Sequence, residues 1–142
     1  MGGRRRRTFS SRLAFDKRHR NRAVRAAAVH PGVIQTELAR YVDAGQIEKI
    51  IEQRNRQLTA EGKAPFRWKT IPQGAATSVW AGIVAPPDEI GSKYCEDCYV
   101  SEIVPDSISG EAMTGGIRPY ALDPNNAEAL WKKSEELVEE SF

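Results

Sequence analysis

The sequence has few of the features that identify a disulfide-rich, membrane-spanning or fibrous protein. Its 142 residues include two cysteines and 8% aromatic residues. Two cysteines are too few for a framework of several disulfide bonds. No apolar run approaches the roughly 20 residues that a bilayer crossing requires. With 40% apolar and 28% charged residues, the composition predicts a globular, cytoplasmic protein without a membrane span.

Charge is distributed unevenly along the chain. Residues 1–25 carry ten basic side chains and one acidic side chain, Asp16, whereas the other 117 residues carry 11 basic and 18 acidic ones. The net charges are therefore +9 and −7. A dense basic run is typical of a solvated tail, and it also favours polyanion binding through counterion release. We expect residues 1–22 to form a disordered basic arm and residues 23–142 to form the folded body.

Two apolar segments are predicted to be strands. The first, residues 23–30, ends at Pro31-Gly32, where proline removes a backbone donor and glycine permits unusual dihedral angles. The second, residues 93–104, is rich in tyrosine, valine and isoleucine and is bounded by Pro105. Both patterns favour strands that end in loops.

Three segments carry helical signals. Residues 38–58 place isoleucines and leucines on one narrow stripe of a polar helix. A Thr-x-x-Gln capping box at residues 70–73 predicts a second helix start. Its buried face is predicted to consist of Ala76, Val79, Trp80, Ile83 and Val84. Asp123 followed by Pro124 predicts a last helix, which ends near Glu139. The order of strands and helices favours an α/β fold with a parallel sheet.

Histidine and cysteine do not combine into a convincing catalytic or metal site. His30 has no nearby serine, cysteine or carboxylate partner in the sequence and is interpreted as structural. Cys95 and Cys98 have redox-motif spacing, but Glu96 and Asp97 between them disfavour a thiolate. A closed zinc site needs four ligands. We therefore predict structural thiols and no metal site.

The Pro-Gly loop over residues 30–36 is the sharpest local feature. Ligands of α/β sheets bind beyond the carboxyl ends of the strands, which is where this loop begins. Thr36 adds a hydroxyl donor to the loop. A structural turn from strand to helix is the commoner interpretation of so short a motif, and a ligand-binding loop is the alternative.

Three segments, in this order and spacing, resemble the C-terminal half of short-chain dehydrogenases/reductases. They are AVHPGVIQTEL at 28–38, KTIPQGAATSVWAGIVAPPDEIGSKYCEDC at 69–98 and ALDPNNAEALWKKSEELV at 121–138. The similarity is closest to the branch of retinol dehydrogenases and WW-domain oxidoreductase-like proteins. It implies an incomplete NAD(P)-binding Rossmann-type α/β fold, doubly wound, with its last two strands and about three helices.

The resemblance also implies a cofactor site at the Pro-Gly loop, for the nicotinamide end of NAD or NADP. Pro31 and Gly32 would shape the loop, and Val33 and Ile34 would present backbone groups to the carboxamide. Thr36 would contact the carboxamide or the adjacent phosphate. The helix after this loop would cover a small alcohol or carbonyl substrate, and the family activity would be NAD(P)-dependent oxidoreduction.

The glycine motif and the catalytic residues of that family have no counterpart in this sequence. The phosphate-binding glycine motif, the catalytic serine and Tyr-x-x-x-Lys would precede Pro31, yet residues 1–29 contain no tyrosine. We therefore expect an N-terminally truncated, inactive chain with no catalytic residue of its own. Two strands bury three helices poorly, so we expect dependence on a partner, a second copy included. The alternative is a non-catalytic interaction module whose basic arm binds a polyanion.

Overall fold

The computed structural model describes residues 2–37, 41, 43–105 and 115–142, with side chains from Ser10 onward except that of Ala44. Two compact units divide the chain, one formed by Met1–Pro31 with Ala76–Phe142 and the other by Gly32–Ala75. The described helices are α1 (Gly2–His19), α2 (Ala44–Ala60), α3 (Ile71–Val79), α4 (Pro87–Ile90) and α5 (Pro124–Val138). The described strands are β1 (Ala28–His30), β2 (Tyr94–Glu96) and β3 (Tyr99–Val100).

The three strands of the first unit form one sheet in the order β1-β2-β3. Strands β1 and β2 are parallel, with Ala28 opposite Tyr94 and His30 opposite Glu96. A parallel pair requires a long crossover connection, which the chain between the two strands supplies. The expected mixed α/β architecture with a parallel pair is therefore confirmed.

The second predicted strand is wrong in its extent. Residues 93–104 are not one strand, because a tight turn reverses the chain and β3 pairs antiparallel with β2. Asp97 and Cys98 at this turn have φ values of 49° and 61°. Two consecutive residues in the left-handed region form the hairpin turn that matches strand twist. The described part of the sheet thus has three strands where the sequence analysis expects two.

The first predicted strand begins later than its apolar run. Residues 20–22 form a single 3-10 turn, and Ala23 has a positive φ of 58°. Regular pairing begins at Ala28, whose N–H donates to the Lys93 carbonyl at 2.9 Å. The apolar run therefore marks β1 correctly only over its last three residues.

Both faces of the sheet in the first unit carry a small apolar core. One core contains Ala28 and Tyr94 with Ile117 and Ala121. The other contains Cys95 with Ala81, Ala85 and Ile90. Because neighbouring residues of a strand point to opposite faces, Tyr94 and Cys95 serve different cores, and the sheet lies between two layers.

Helix α3 begins as the sequence predicts but buries a different face. Thr70 N–H donates to Gln73 Oε1 at 2.9 Å and Gln73 N–H donates to Thr70 Oγ1 at 3.4 Å, which confirms the capping box. Along the first unit's part of this helix, however, Thr77 and Ala81 are buried, whereas Ile83 is 82% and Val84 67% exposed.

The predicted buried face of this segment is therefore wrong. Ala76 and Val79 are exposed as well, and Trp80 is only partly buried. A π-helical segment at Trp80–Val84 follows α3. A π-helical turn has more residues than an α-helical turn and rotates the following side chains around the axis. The α-helical spacing used for the prediction therefore does not apply to Ile83 and Val84. Small side chains form the buried face because they allow close approach to Cys95.

The basic N-terminal segment is a helix rather than a disordered arm. Ser10, Arg12, Ala14 and Asp16 of α1 are buried, and at about 100° per residue they lie on two opposite sides of the helix. Arg12 Nη2 donates to the Ser92 carbonyl at 3.3 Å, and burial lowers the Arg12 pKa to about 10. Residues 1–31 lie in one compact unit, which crosses the boundary predicted at residue 22. The expectation of disorder rests on charge alone and does not include the burial of these four residues.

Asp16, the single acidic residue of the basic segment, holds α1 against the sheet. Its carboxylate accepts from Arg25 Nε at 3.0 Å, Arg25 Nη2 at 3.2 Å, Ala26 N–H at 2.8 Å and Ser92 Oγ at 2.9 Å. Burial raises the Asp16 pKa, but the hydrogen bonds from Arg25, Ala26 and Ser92 together hold it below its ordinary value. The carboxylate thus joins the chain before β1 to the turn before β2.

A second contact of α1 is made with α5. The Arg18 guanidinium lies 4.6 Å from the centroid of the Trp131 ring, and Arg18 Nη2 is 2.8 Å from Glu128 Oε1. Phe15 packs against the same indole, with ring centroids 6.3 Å apart. Such a cation over an aromatic face stabilises helix packing.

Helix α5 begins and ends close to its predicted bounds. The Asp123 carboxylate accepts from Asn125 N–H at 2.8 Å, and Pro124 is the first helical residue. The helix ends at Val138 because Glu139 has a left-handed φ of 59°. Both the N-cap and the C-terminal limit are confirmed.

The second unit is built around α2. Asp43 caps this helix by accepting from Gln46 N–H at 3.0 Å. The predicted stripe is partly confirmed, since Ile47 and Ile51 are half-buried while Ile50 is exposed. The predicted start near residue 38 lies outside the described residues. Within the described part of the chain, no helix is long and apolar enough to cross a membrane.

Candidate functional site: the Pro-Gly loop

The candidate loop begins where β1 ends. In the first unit, Pro31 follows His30 directly and is exposed. The register places His30 opposite Glu96, so both strands reach their carboxyl ends at the same level. The His30 ring packs near Tyr94, with centroids 6.4 Å apart. Pro31 therefore occupies the position at which an α/β sheet presents a ligand-binding loop.

Glu96, at the carboxyl end of β2, is fully engaged by its surroundings. Its buried Oε1 atom accepts from Gly116 N–H at 2.7 Å and from the Ser101 hydroxyl. These bonds hold the β2-β3 hairpin to the segment before Ile117. These donors satisfy the buried Oε1 atom and give Glu96 a structural role in the first unit.

The remaining loop residues lie in the second unit, and Gly32 determines their path. Gly32 has a φ of +86°, which L side chains rarely adopt. A Cβ atom at this position would lie 2.6 Å from Lys69 Cδ and 2.8 Å from Lys69 Cε and Nζ. The absence of a side chain thus permits both the turn and the close approach of Lys69.

Backbone contacts with Lys69 fix the next two residues. The Val33 carbonyl accepts from Lys69 N–H at 3.0 Å, and Ile34 forms a parallel β-bridge with Lys69. Ile34 is half-buried, whereas Val33 and Thr36 are exposed. The backbone of Val33 and Ile34 is therefore held by Lys69, and Thr36 follows as an exposed residue.

Lys69 is the functional candidate that sequence reasoning missed. Its position lies in a segment that the composition marks as a loop, between Trp68 and the capping box. Only the folded backbone brings Lys69 beside Gly32 and Val33, and a single basic residue in a loop carries no sequence signal of that contact. The arrangement offers a backbone turn, a hydroxyl and a cation within one small loop region.

The sequence analysis expects this loop to hold the nicotinamide end of a dinucleotide cofactor. Hydroxyl and ammonium groups bind amides and phosphates, and the Lys69 side chain fills the space beside Gly32. Of the residues expected to hold it, Pro31 lies in the first unit and Gly32, Val33, Ile34 and Thr36 lie in the second.

Similar curated proteins are oxidoreductases. A probable oxidoreductase of Streptomyces lividans is 33% identical over 112 residues, which are 77% of this chain and 35% of that protein. Short-chain dehydrogenase TIC 32 A, chloroplastic, of Brassica napus is 30% identical over 79% of this chain and 27% of its own length. Short-chain dehydrogenase/reductase prx1 of Penicillium roqueforti is 28% identical over 84% of this chain and 32% of its own length.

The chain is a partial homologue of the short-chain dehydrogenases/reductases. It spans about a third of the length of the curated relatives that it matches. No family model matches the chain, and no solved structure matches it. The resemblance that the three sequence segments carry is therefore confirmed at the level of the family.

The tyrosines of this dehydrogenase homologue do not supply the family's Tyr-x-x-x-Lys. None of Tyr41, Tyr94, Tyr99 and Tyr120 begins that motif. Burial, together with Glu96 and the neighbouring acids, raises the Tyr99 pKa, which makes this phenol a weaker proton donor. The described residues thus give no tyrosine the sequence context of a carbonyl reductase.

The two cysteines lie in different environments on either side of the hairpin turn. Cys95 is fully buried in a core, and burial raises its pKa against a smaller opposing effect of Arg12. Cys98 is exposed, and its N–H donates to Thr77 Oγ1 at 3.3 Å. A raised pKa favours the thiol at Cys95, as the sequence analysis expects. Among the described residues, no group of three histidines, cysteines and acids could hold a metal ion.

Proposed function

We propose that this chain supplies the nicotinamide-binding loop of an NAD(P)-dependent oxidoreductase fold whose substrates are small alcohols or carbonyls. The observation that carries the proposal is the positive-φ Gly32 turn directly after a parallel strand, braced by Lys69. The similarity to short-chain dehydrogenases/reductases supports the cofactor class. The Rossmann-type arrangement belongs to the same proposal, with β1 and β2 as two of its parallel strands.

In this proposal the chain binds but does not turn over substrate by itself. The sequence contains neither the glycine-rich phosphate motif nor a Tyr-x-x-x-Lys. Without the glycine motif, the pyrophosphate loses its usual position at a helix N-terminus. Without the tyrosine, carbonyl reduction loses its usual proton donor. NAD or NADP supplies the hydride chemistry when bound, and the residues of this chain position its nicotinamide end.

The site residues have distinct tasks under this proposal. Pro31 and Gly32 set the turn, Val33 and Ile34 present backbone groups to the carboxamide, and Thr36 donates its hydroxyl. The Val33 carbonyl already accepts from Lys69 N–H at 3.0 Å. This bond orients the peptide groups of the loop before any ligand binds, which lowers the entropic cost of binding.

Calorimetric titration of the full chain with NADH and NADPH tests the proposal. We expect saturable binding of at least one nucleotide, which Thr36→Val weakens several-fold. Thr59→Val on exposed α2 is the matched control and leaves the affinity unchanged. No binding of either nucleotide contradicts the proposed cofactor site. Nicotinamide-linked turnover with retinoid, steroid or aldehyde panels contradicts the proposed inactivity.

The second candidate is a polyanion-binding module, which the +9 charge of residues 1–25 favours. Residues 10–19 pack within the first unit, so deleting them would disturb folding. Replacing Arg4, Arg5, Arg6 and Arg7 with glutamine tests the idea without removing those contacts. Salt-dependent heparin binding that the substitutions abolish supports this module. Unchanged binding shows that the four arginines are not the polyanion-binding site. The cytoplasmic location also stays a prediction.

A further inference from the structure

Lys69 is placed against the loop by contacts of its side chain. The Cδ, Cε and Nζ atoms all lie within 2.8 Å of the point that a Cβ atom of Gly32 would occupy. The stem therefore crosses directly over the glycine, and its ammonium group reaches the turn. A larger residue at position 32 would exclude the lysine from this position.

The backbone of Lys69 is fixed on both sides. Its N–H donates to the Val33 carbonyl at 3.0 Å, and the residue forms the bridge to Ile34. The next residue, Thr70, begins the capping box of α3 with a 2.9 Å bond to Gln73 Oε1. A flexible side chain thus starts from a backbone with little freedom, which directs its charge toward the loop.

We propose that Lys69 binds the phosphate adjacent to the nicotinamide riboside of NAD(P). The inference rests on the proposed function, which places the nicotinamide end at this loop. Lysine binds phosphate as a compact point charge, and charge-assisted bonds are stronger than neutral ones. The loop's hydroxyl and backbone groups recognise neutral parts of the ligand, so Lys69 supplies the positive charge that complements its phosphate.

A purely structural lysine would act through its stem, so the test must separate the stem from the charge. Lys69→Met keeps an apolar chain over Gly32 but removes the ammonium group, and Lys69→Arg keeps a charge. Lys63→Met is the matched control, because Lys63 lies in the same unit and pairs with Glu61 at 2.6 Å in an exposed position. The probes are nicotinamide mononucleotide, which carries the phosphate, and nicotinamide riboside, which lacks it.

Affinities are measured by NMR titration of the full chain, and the amide spectrum reports that each variant is folded. We expect Lys69→Met to weaken mononucleotide binding about tenfold, as loss of one charge-assisted bond predicts, and to leave riboside binding unchanged. Lys69→Arg should restore most of the affinity, and Lys63→Met should have no effect.

Three outcomes overturn the proposal in distinguishable ways. Unchanged mononucleotide binding by Lys69→Met shows that the charge is not used. Equal weakening of mononucleotide and riboside shows that Lys69 acts through packing alone. If the unmodified chain binds none of NADH, the mononucleotide and the riboside, the proposed function itself fails, and this inference fails with it.

Discussion

The Arg25 guanidinium spans both carboxylate oxygens of Asp16, with Nε 3.0 Å from Oδ1 and Nη2 3.2 Å from Oδ2. Asp16 is 1% exposed, so the pair lies where water cannot replace a lost partner. The same carboxylate accepts from Ala26 N–H and Ser92 Oγ. This pair connects α1 to the approaches of β1 and β2, and through them to the start of the candidate loop.

Replacing Asp16 should destabilise the fold. Asp16→Ala leaves Arg25 Nε and Nη2, the Ala26 N–H and the Ser92 hydroxyl without this acceptor, and only the Arg25 Nη1 bond to the exposed Asp88 remains. We therefore expect the free energy of unfolding to fall by roughly 2–3 kcal/mol. Glu52→Gln is the control, because Glu52 forms an exposed pair with Arg56 and should change stability by less than about 0.5 kcal/mol. Urea denaturation measures both. Equal stabilities of the two variants would contradict the role of Asp16.

The stability that Asp16 provides should disappear in acid. Burial raises its pKa, but the bonds from Arg25, Ala26 and Ser92 outweigh burial, and the folded-state pKa lies below its ordinary value. The contribution is therefore complete above the unfolded pKa of about 3.9 and is lost as pH falls through the folded-state pKa.

Denaturation of the unmodified chain and Asp16→Asn at several pH values measures this effect, because the asparagine amide does not titrate. We expect the stability difference between the two proteins to be constant near neutral pH and to shrink below about pH 4. A difference that stays constant down to pH 3 would mean that the pair does not lower the Asp16 pKa.

Gly91 should not accept a methyl group. A Cβ atom there would lie 1.7 Å from Arg25 Nη2 and 2.1 Å from Cζ, so the guanidinium would have to leave Asp16. The Gly91 φ of −56° suits any residue, hence the effect comes from the contact alone. We expect Gly91→Ala to cost about 2 kcal/mol, measured by urea denaturation.

Gly82→Ala is the matched control for Gly91, because nothing lies within 4 Å of a Cβ atom at Gly82. Alanine there should be neutral or stabilise slightly by restricting the unfolded chain. In an Asp16→Ala background, Gly91→Ala should cost less, since Arg25 then has no bond to Asp16 to lose when it moves. Full additivity of the two substitutions would contradict the coupling.

Gly32 and Gly62 form a matched pair in the second unit. Both have positive φ, +86° and +68°, but only Gly32 has Lys69 in its Cβ position. Alanine at Gly62 should cost about 1 kcal/mol from backbone strain. Gly32→Ala should cost at least about 1 kcal/mol more and should weaken NADH binding, whereas Gly62→Ala should not. Equal costs and equal affinities would mean that the Lys69 contact is unimportant.

Helix caps and turns could be predicted from the sequence, because they depend on residues that are close together in the chain. The Thr70 capping box and the Asp123 N-cap were predictable because each bond joins residues two or three positions apart. The three segments that resemble dehydrogenases could also be identified from the sequence, because they occur in the expected order. The loop at Pro31-Gly32 was predictable as a turn because only backbone restrictions are involved.

Contacts between distant residues were not predictable in this way. Asp16 looked like one exception in a basic tail, yet it is buried by groups up to 76 positions away. Lys69 looked like an ordinary loop residue, yet it packs on Gly32. The prediction for the buried face of α3 is wrong because hydrophobicity favours large residues. In the structure Thr77 is buried and accepts from the Cys98 N–H, and the small residues Ala81 and Ala85 pack with Cys95.

The most direct test of the account is a two-dimensional amide NMR titration of the isotope-labelled full chain with NADH. The account predicts that the largest shifts occur at Gly32, Val33, Ile34 and Thr36, with a further shift at Lys69. Residues of α5 should be unaffected. Saturable NADH binding whose shifts cluster elsewhere, or no shift at any of the loop amides, would contradict the assignment of this loop as the cofactor site.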